Sequence, residues 1–158
     1  MTSWRIRPIR WGGIASILIA REAREQYLVS SFMIDYWCLG IKRAIPPSSM
    51  GKSKYKKMLN IAEASFKQPF IDITLKQAQS VVFGAAAYAE QLGLQPHYDF
   101  SKAQPQLGPR SNTLESITFG YHSRPFFVNG PHDNSHKILK TLTEVLGEGR
   151  FGYSLIQA

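Results

Sequence analysis

Cysteine is nearly missing from this sequence: its 158 residues include one, Cys38. A single thiol excludes an internal disulfide and a cysteine-built zinc site. Cys38 lies in the apolar run Tyr36-Trp37-Cys38-Leu39, where a cysteine serves as a small buried hydrophobe in a reducing compartment. A reactive thiol is the alternative. The apolar run that follows the first arginines, Ile14-Ala15-Ser16-Ile17-Leu18-Ile19-Ala20, has seven residues. That is too short to cross a bilayer and at the lower limit for a signal core. Arg21 follows at once, without a small-residue cleavage site. The run reads as a buried strand of a cytoplasmic protein with no membrane partner.

Nucleotide-binding and esterase signatures are also missing. There is no GxxxxGK[ST] loop, no GxGxxG and no GxSxG. Gly51-Lys52-Ser53 has the ending of a phosphate-binding loop, but Pro46 stands where its first glycine belongs. No cofactor is expected. Internal repeats and low-complexity tracts are absent as well.

Hydrophobic residues make up 44% of the chain and aromatics 12%, a composition that supports one packed core. The chain 1–158 is read as a single domain with a basic N-terminal segment, 1–11, and a loop at 45–53. The net charge of +8 is unevenly placed: residues 1–57 hold eleven basic side chains against three acids, and the remainder is balanced. Two clusters carry the excess. Trp4, Arg5, Arg7, Arg10 and Trp11 form one; Lys52, Lys54, Tyr55, Lys56 and Lys57 form the other. Basic groups neutralise phosphates and interleaved rings stack on bases, so nucleic acid, RNA before DNA, is the expected partner. Docking of an acidic protein, or a solvated basic surface, accounts for the same charge.

Hydrophobic periodicity predicts an α+β fold: a mostly antiparallel sheet of two hairpins packed on two or three helices. The first hairpin is 13–21 with 27–37, the second 116–120 with 125–129. Pro46 and Pro47 argue for the loop between the first hairpin and a basic helix at 54–66. That helix would face inward through Tyr55, Met58, Leu59, Ala62 and Phe66. The helix at 75–92 has the strongest signals: Thr74 and Gln77 as a capping box, an apolar stripe through Leu75, Ala78, Val82, Ala85, Ala89 and Leu92, then Gly93 and Pro96. The small residues Gly84–Ala87 would admit a close backbone neighbour. A last helix is expected over 135–146, with Ile138, Leu139, Leu142, Val145 and Leu146 inward, and a closing strand over 151–156.

Two polar knots offer chemistry. Gly130-Pro131-His132-Asp133-Asn134-Ser135-His136 joins a strand to a helix start rich in capping residue types. His132 and His136 are four apart and with Asp133 suit a divalent cation; a phosphate contact or a plain helix cap uses the same residues. In Pro96-His97-Tyr98-Asp99-Phe100, His97 and Asp99 would orient each other as an acid–base pair, or Asp99 would cap a short helix. Asp35 is the one acid in an apolar strand. With Asp99, Asp133 and Glu148 it would supply a two-metal nuclease or hydrolase, helped by His97, His132 and His136. Pairing of Asp35 with Lys42 or Arg43 is the structural alternative. No catalytic residue or metal is assigned on the leading reading, an accessory nucleic-acid-binding subunit of a larger assembly with a protein partner.

Three stretches, Met33–Lys42, Gly84–Phe100 and Phe126–Asn134, together with Val145–Gly149, resemble a family of uncharacterised bacterial proteins. Some of its members carry a C-terminal SEC-C-type metal-binding tail. The resemblance spans most of residues 12–153 and implies a bacterial origin and a shared fold. It supplies no activity, and the tail is absent from this chain. The basic clusters lie outside it.

Overall fold

The computed structural model describes the backbone of residues 2–8 and all of residues 13–156. Strands β1 (Thr2–Pro8), β2 (Ile14–Ala23), β3 (Gln26–Asp35), β4 (Gly40–Gly51) and β5 (Ile71–Asp72) form one antiparallel sheet in the order β4-β3-β2-β1-β5. Helix α1 (Lys52–Phe66) follows β4 directly, and α2 (Leu75–Gln91) follows β5. A short helix α3 (Phe100–Ala103), a 3-10 turn and a long coil lead to β6 (Phe126–Val128). Helix α4 (Ser135–Leu146) and β7 (Gly152–Ser154) close the α+β fold. Among the described residues no helix is long and apolar enough to cross a membrane.

Strand alternation decides which helix covers which face. Ala15, Ile17 and Ile19 of β2, Phe32 and Ile34 of β3, and Ile41 and Ala44 of β4 meet Ala78, Val81, Val82 and Ala85 of α2. The opposite parity, Leu18, Ala20, Val29 and Met50, meets Tyr55 and Leu59 of α1. A third cluster joins Cys38 and Leu39 to Ala89, Leu92, Phe127 and Leu142, which ties α4 and β6 to the end of the sheet.

Helix α2 has the expected caps. Thr74 Oγ1 accepts from Gln77 N at 3.1 Å while Gln77 Oε1 accepts from Thr74 N at 2.9 Å. At the other end Leu94 N donates to Ala89 O and Gly93 N to Glu90 O, with Gly93 at φ +80°. This is the double hydrogen bond of a Schellman ending. Thr74→Ala removes one acceptor and opens the box. Stability is expected to fall by about 1 kcal/mol, read from the urea midpoint; an unchanged midpoint contradicts the cap's role.

The polar side of α2 is buried too. Gln79 donates to Leu107 O and Pro109 O and accepts from Ser111 N, and Ser80 Oγ accepts from Glu115 N. These bonds hold the coil after residue 107 across the helix. Phe119 then stacks on Tyr36 and Tyr88.

Several expectations are corrected. Residues 45–51 continue β4 and are not a loop. β4 is the edge strand, and its register shifts beside Ser30, where Pro46 and Pro47 sit between the pairs Val29↔Ser48 and Ser31↔Ile45. Prolines are tolerated at an edge and at a bulge because no ladder donor is needed there. Within the basic segment 1–11, residues Thr2–Pro8 form β1, an interior strand between β2 and β5, which was not expected from its charge. The second hairpin does not form. Its turn is present, with His122 and Ser123 at φ 51° and 65° and a bridge Tyr121↔Arg124. Residues 116–120 pack Ile117 and Phe119 against the core instead, and β6 pairs in parallel with β7. Val145, expected to face inward, is 48% exposed.

Candidate nucleic-acid interface

Among the described residues, helix α1 covers one end of its sheet face, and the other end is less buried. In antiparallel pairs, directly opposite residues share a face. The register runs Arg7↔Ser16, Ser16↔Met33, Met33↔Arg43 across four strands, and beside it Arg5↔Leu18, Leu18↔Ser31, Ser31↔Ile45. Ser16, Ser31 and Met33 are half-buried, and Arg43 and Ile45 are exposed. Arg5 also lies opposite Asp72 of β5, which sets an acid beside it. Arg7 and Arg43 therefore stand at the two ends of one row. On α1, Lys52, Lys54, Lys56 and Lys57 are exposed, and Lys52 lies 3.6 Å from Glu22.

A second irregularity lies in the same strand. Ile34 pairs with Ile41 and Met33 with Arg43, so Lys42 is the extra residue of a bulge. A bulge re-aims a side chain and is common next to functional sites. Lys42 Nζ reaches Asp133 Oδ2 at 3.0 Å, and both side chains are mostly buried. The same oxygen accepts from Gly130 N at 2.6 Å. A Cβ on Gly130 would fall 2.8 Å from the lysine nitrogen, so a larger residue there would have to push the end of the Lys42 side chain aside.

The two polar knots meet here. A cleft of about 630 Å³ is lined by Met33, Lys42, Arg43, His97, Tyr98 and residues 130–133. Behind it a recess of about 290 Å³ shares Lys42, His97 and Asp133 and is floored by Leu39, Ile41, Leu94 and Ile138. His97 is set by its backbone N–H on Ile41 O, and its Nδ1 accepts from Asp99 N at 3.2 Å. The neutral ring therefore carries its proton on Nε2. Tyr98 is 83% exposed with its ring 4.0 Å from that of His97.

Asp35 stands at the end of β3, 3% exposed. Its Oδ1 accepts from Trp37 N and its Oδ2 from Leu39 N, both at 3.0 Å. Burial raises its pKa from the usual 3.8 to about 6, against the opposing pull of those amides and of the Lys42 charge. It organises the β3–β4 turn. Cys38, in that turn, is fully buried, and burial with the Asp35 charge beside it pushes its thiol well up. The site is unreactive packing.

The metal-dependent alternative does not assemble. Among the described residues no three His, Cys, Asp or Glu side chains gather to hold an ion. The reasons are local. Asp35 serves its turn, Asp133 serves Lys42 and Gly130 N, and the Asp99 carboxylate faces Lys102 Nζ at 3.8 Å. What bonds His97 is the amide of Asp99, not its carboxylate, and Asp99 makes no side-chain cap to α3. His132 precedes α4 and lines the cleft, whereas His136 is inside the helix and does not. Glu148 is exposed in the turn after α4. Asn134, not Asp133, caps α4, accepting from Lys137 N at 3.1 Å.

Among the stacking candidates, Tyr55 is removed: it is 7% exposed and stacked on Tyr27 at 4.4 Å. Its position on the inner face of α1 made this readable from spacing. Arg10 and Trp11 lie outside the described residues, as do the side chains of Trp4, Arg5 and Arg7. Sequence reasoning did not place Lys42, Arg43 and Tyr98 at one site. The signal for Tyr98 was an aromatic with no apolar periodicity around it; the Lys42–Asp133 pair has no local signal. No family model, curated protein or solved structure matches the chain, so its function rests on this geometry.

Proposed function

We propose that the chain binds single-stranded nucleic acid, RNA in preference to DNA, as an accessory subunit of a larger assembly. The observation that carries the reading is the register row Arg7–Ser16–Met33–Arg43 on the less buried part of a sheet face. Such a face accepts splayed bases on its flat surface while cations at its rim hold phosphates. The exposed lysines of α1, which packs on the same face, extend the positive surface. The carboxylates of Asp35, Asp99 and Asp133 each face structural partners, in keeping with a binding role. A bacterial origin, implied by the resemblance described above, belongs to the same proposal.

Fluorescence anisotropy with a labelled single-stranded RNA of about twelve nucleotides, titrated across salt concentrations, tests this. Affinity is expected to fall steeply with salt. Arg7→Ala and Arg43→Ala should each flatten the log–log slope by about 0.7, the share of one phosphate contact on a single strand. Weak binding that salt does not change, or variants with the parent slope, sinks the proposal.

A further inference from the structure

The cleft where the two knots meet adjoins the sheet row and shares Met33 and Arg43 with it, but the rest of its lining is of a different chemistry. Its polar groups are almost all donors. Lys42 offers three N–H bonds, of which Asp133 takes one at 3.0 Å. Arg43 stands exposed at the rim. His97 has its Nδ1 occupied by Asp99 N, which leaves an Nε2 donor, and His132 adds a second ring. One carboxylate, Asp133, faces them, and Lys42 and Gly130 N share one of its oxygens. A volume of about 630 Å³ falls in the range of small-molecule sites. At the mouth lies Tyr98, 83% exposed and backed by the His97 ring. Its ring offers a face on which a flat partner can stack.

We infer that this cleft binds the phosphomonoester of a nucleoside, with the phosphate among Lys42, Arg43 and His132 and the base on Tyr98. A terminal phosphate has two charges and three acceptor oxygens, which suits a cluster of cationic forks and points better than a bridging phosphodiester does. The Lys42–Asp133 pair and the Gly130 N bond to the same carboxylate tie the loop 130–133 to β4, so the site is formed before the ligand arrives. The shared chemistry is met by the phosphorylated end of an RNA strand or by a free nucleotide. In the first case the inference rests on the nucleic-acid reading above, and the cleft sets the end of the strand that lies along the sheet.

The test compares one single-stranded RNA in three forms: 5′-phosphorylated, 3′-phosphorylated and hydroxyl at both ends. A nucleoside monophosphate is titrated separately. One phosphorylated form is expected to bind about tenfold more tightly than the hydroxyl form, the order of one charge-assisted contact. His132→Ala should abolish that advantage and leave the hydroxyl form's affinity unchanged, and Tyr98→Ala, which removes the platform for the base, should weaken the phosphorylated RNA and the monophosphate alike. Both residues are exposed, so their melting temperatures should match the parent. Displacement of the RNA by an equal concentration of monophosphate assigns the cleft to the free nucleotide; displacement only in large excess assigns it to the RNA end. If the three RNAs bind alike and the monophosphate does not bind, the cleft inference is overturned while the sheet reading stands. If no RNA binds but the monophosphate does, in a His132-dependent way, the sheet reading fails and the cleft inference holds. A phosphate advantage that survives His132→Ala also overturns the inference.

Discussion

Gly40→Ala lowers stability by about 2–5 kcal/mol, one of the two largest effects expected of a single substitution in this chain. Two penalties combine. Gly40 has φ +68°, a left-handed conformation that strains an alanine by about 1–2 kcal/mol. A Cβ there would also lie 2.5 Å from Ala85 O and 2.7 Å from Ala89 Cβ, and relieving such an overlap costs about 1–3 kcal/mol more. The Gly149→Ala variant separates the two. Gly149 has φ +77° and nothing within 4 Å of its Cβ position, so it shows strain alone. Urea unfolding should find Gly40→Ala clearly the weaker protein; equal losses in the two variants would mean that the contact between β4 and α2 is looser than described. The effect reaches the cleft. Gly40 opens β4, and Lys42 and Arg43 follow within three residues, so phosphate-dependent binding should weaken together with stability.

That contact was half legible in the sequence. Gly84–Ala87 announced a helix with a thin waist, and the expected close neighbour is indeed a sheet backbone. Which strand approaches was not readable, because Gly40 and Ala85 are brought together by the tertiary fold. The same division holds elsewhere. Helix α2 was readable because Thr74, Gln77 and Gly93 each act on backbone groups within a few residues. Helix α4 was readable from its apolar spacing and from Gly147. β2 and β3 were readable as apolar runs joined by a polar turn.

β4 was misread because proline is a strong local signal whose meaning depends on position. At an interior strand Pro46 and Pro47 would be excluded, and at this bulged edge they are not. β1 contains a signal that charge concealed. Trp4, Ile6 and Pro8 alternate with Arg5 and Arg7, the period of a strand with two unlike faces. The arginines read as a basic arm when taken as a cluster, and as a strand when taken as an alternation. The site was least legible. Lys42 and Asp133 are separated by most of the chain, and the bulge that turns Lys42 toward the cleft depends on how two strands pair. Each polar knot could be recognised alone; their meeting is a property of the packing of α4 and β6 on the end of the sheet.

The charge on Asp35 makes the fold more stable in mild acid than at neutral pH, as far as this one group decides. Its folded pKa of about 6 lies above the usual 3.8. Between those values the folded protein takes up the proton first, so acidification favours the folded state. Above about pH 6 the full penalty of a buried charge is present. It diminishes as pH falls and is gone below about pH 4, where folded and unfolded chains are both protonated. A shift of that size corresponds to about 3 kcal/mol. Asp35→Asn isolates the effect, because the amide cannot titrate. Its remaining carbonyl oxygen can accept one of the Trp37 and Leu39 amides, and the other is left buried and unpaired at about 1–3 kcal/mol. At pH 7 removal of the buried charge offsets that loss, and the variant should match the parent or exceed it by up to about 2 kcal/mol. At pH 4 the charge penalty is nearly gone, and the parent should be the more stable by about 1–3 kcal/mol. Urea unfolding of both proteins from pH 4 to 7 measures the difference directly, and a difference that stays constant would mean that Asp35 does not titrate in this window. Asp35→Ala loses both amide bonds and should be weaker at every pH. Lys42→Met removes the positive charge that holds the Asp35 pKa down, so the window should move to higher pH. That last shift would tie the turn to the cleft: the lysine offered to a phosphate also adds, after the Leu39 and Trp37 amides, to what lowers the Asp35 pKa.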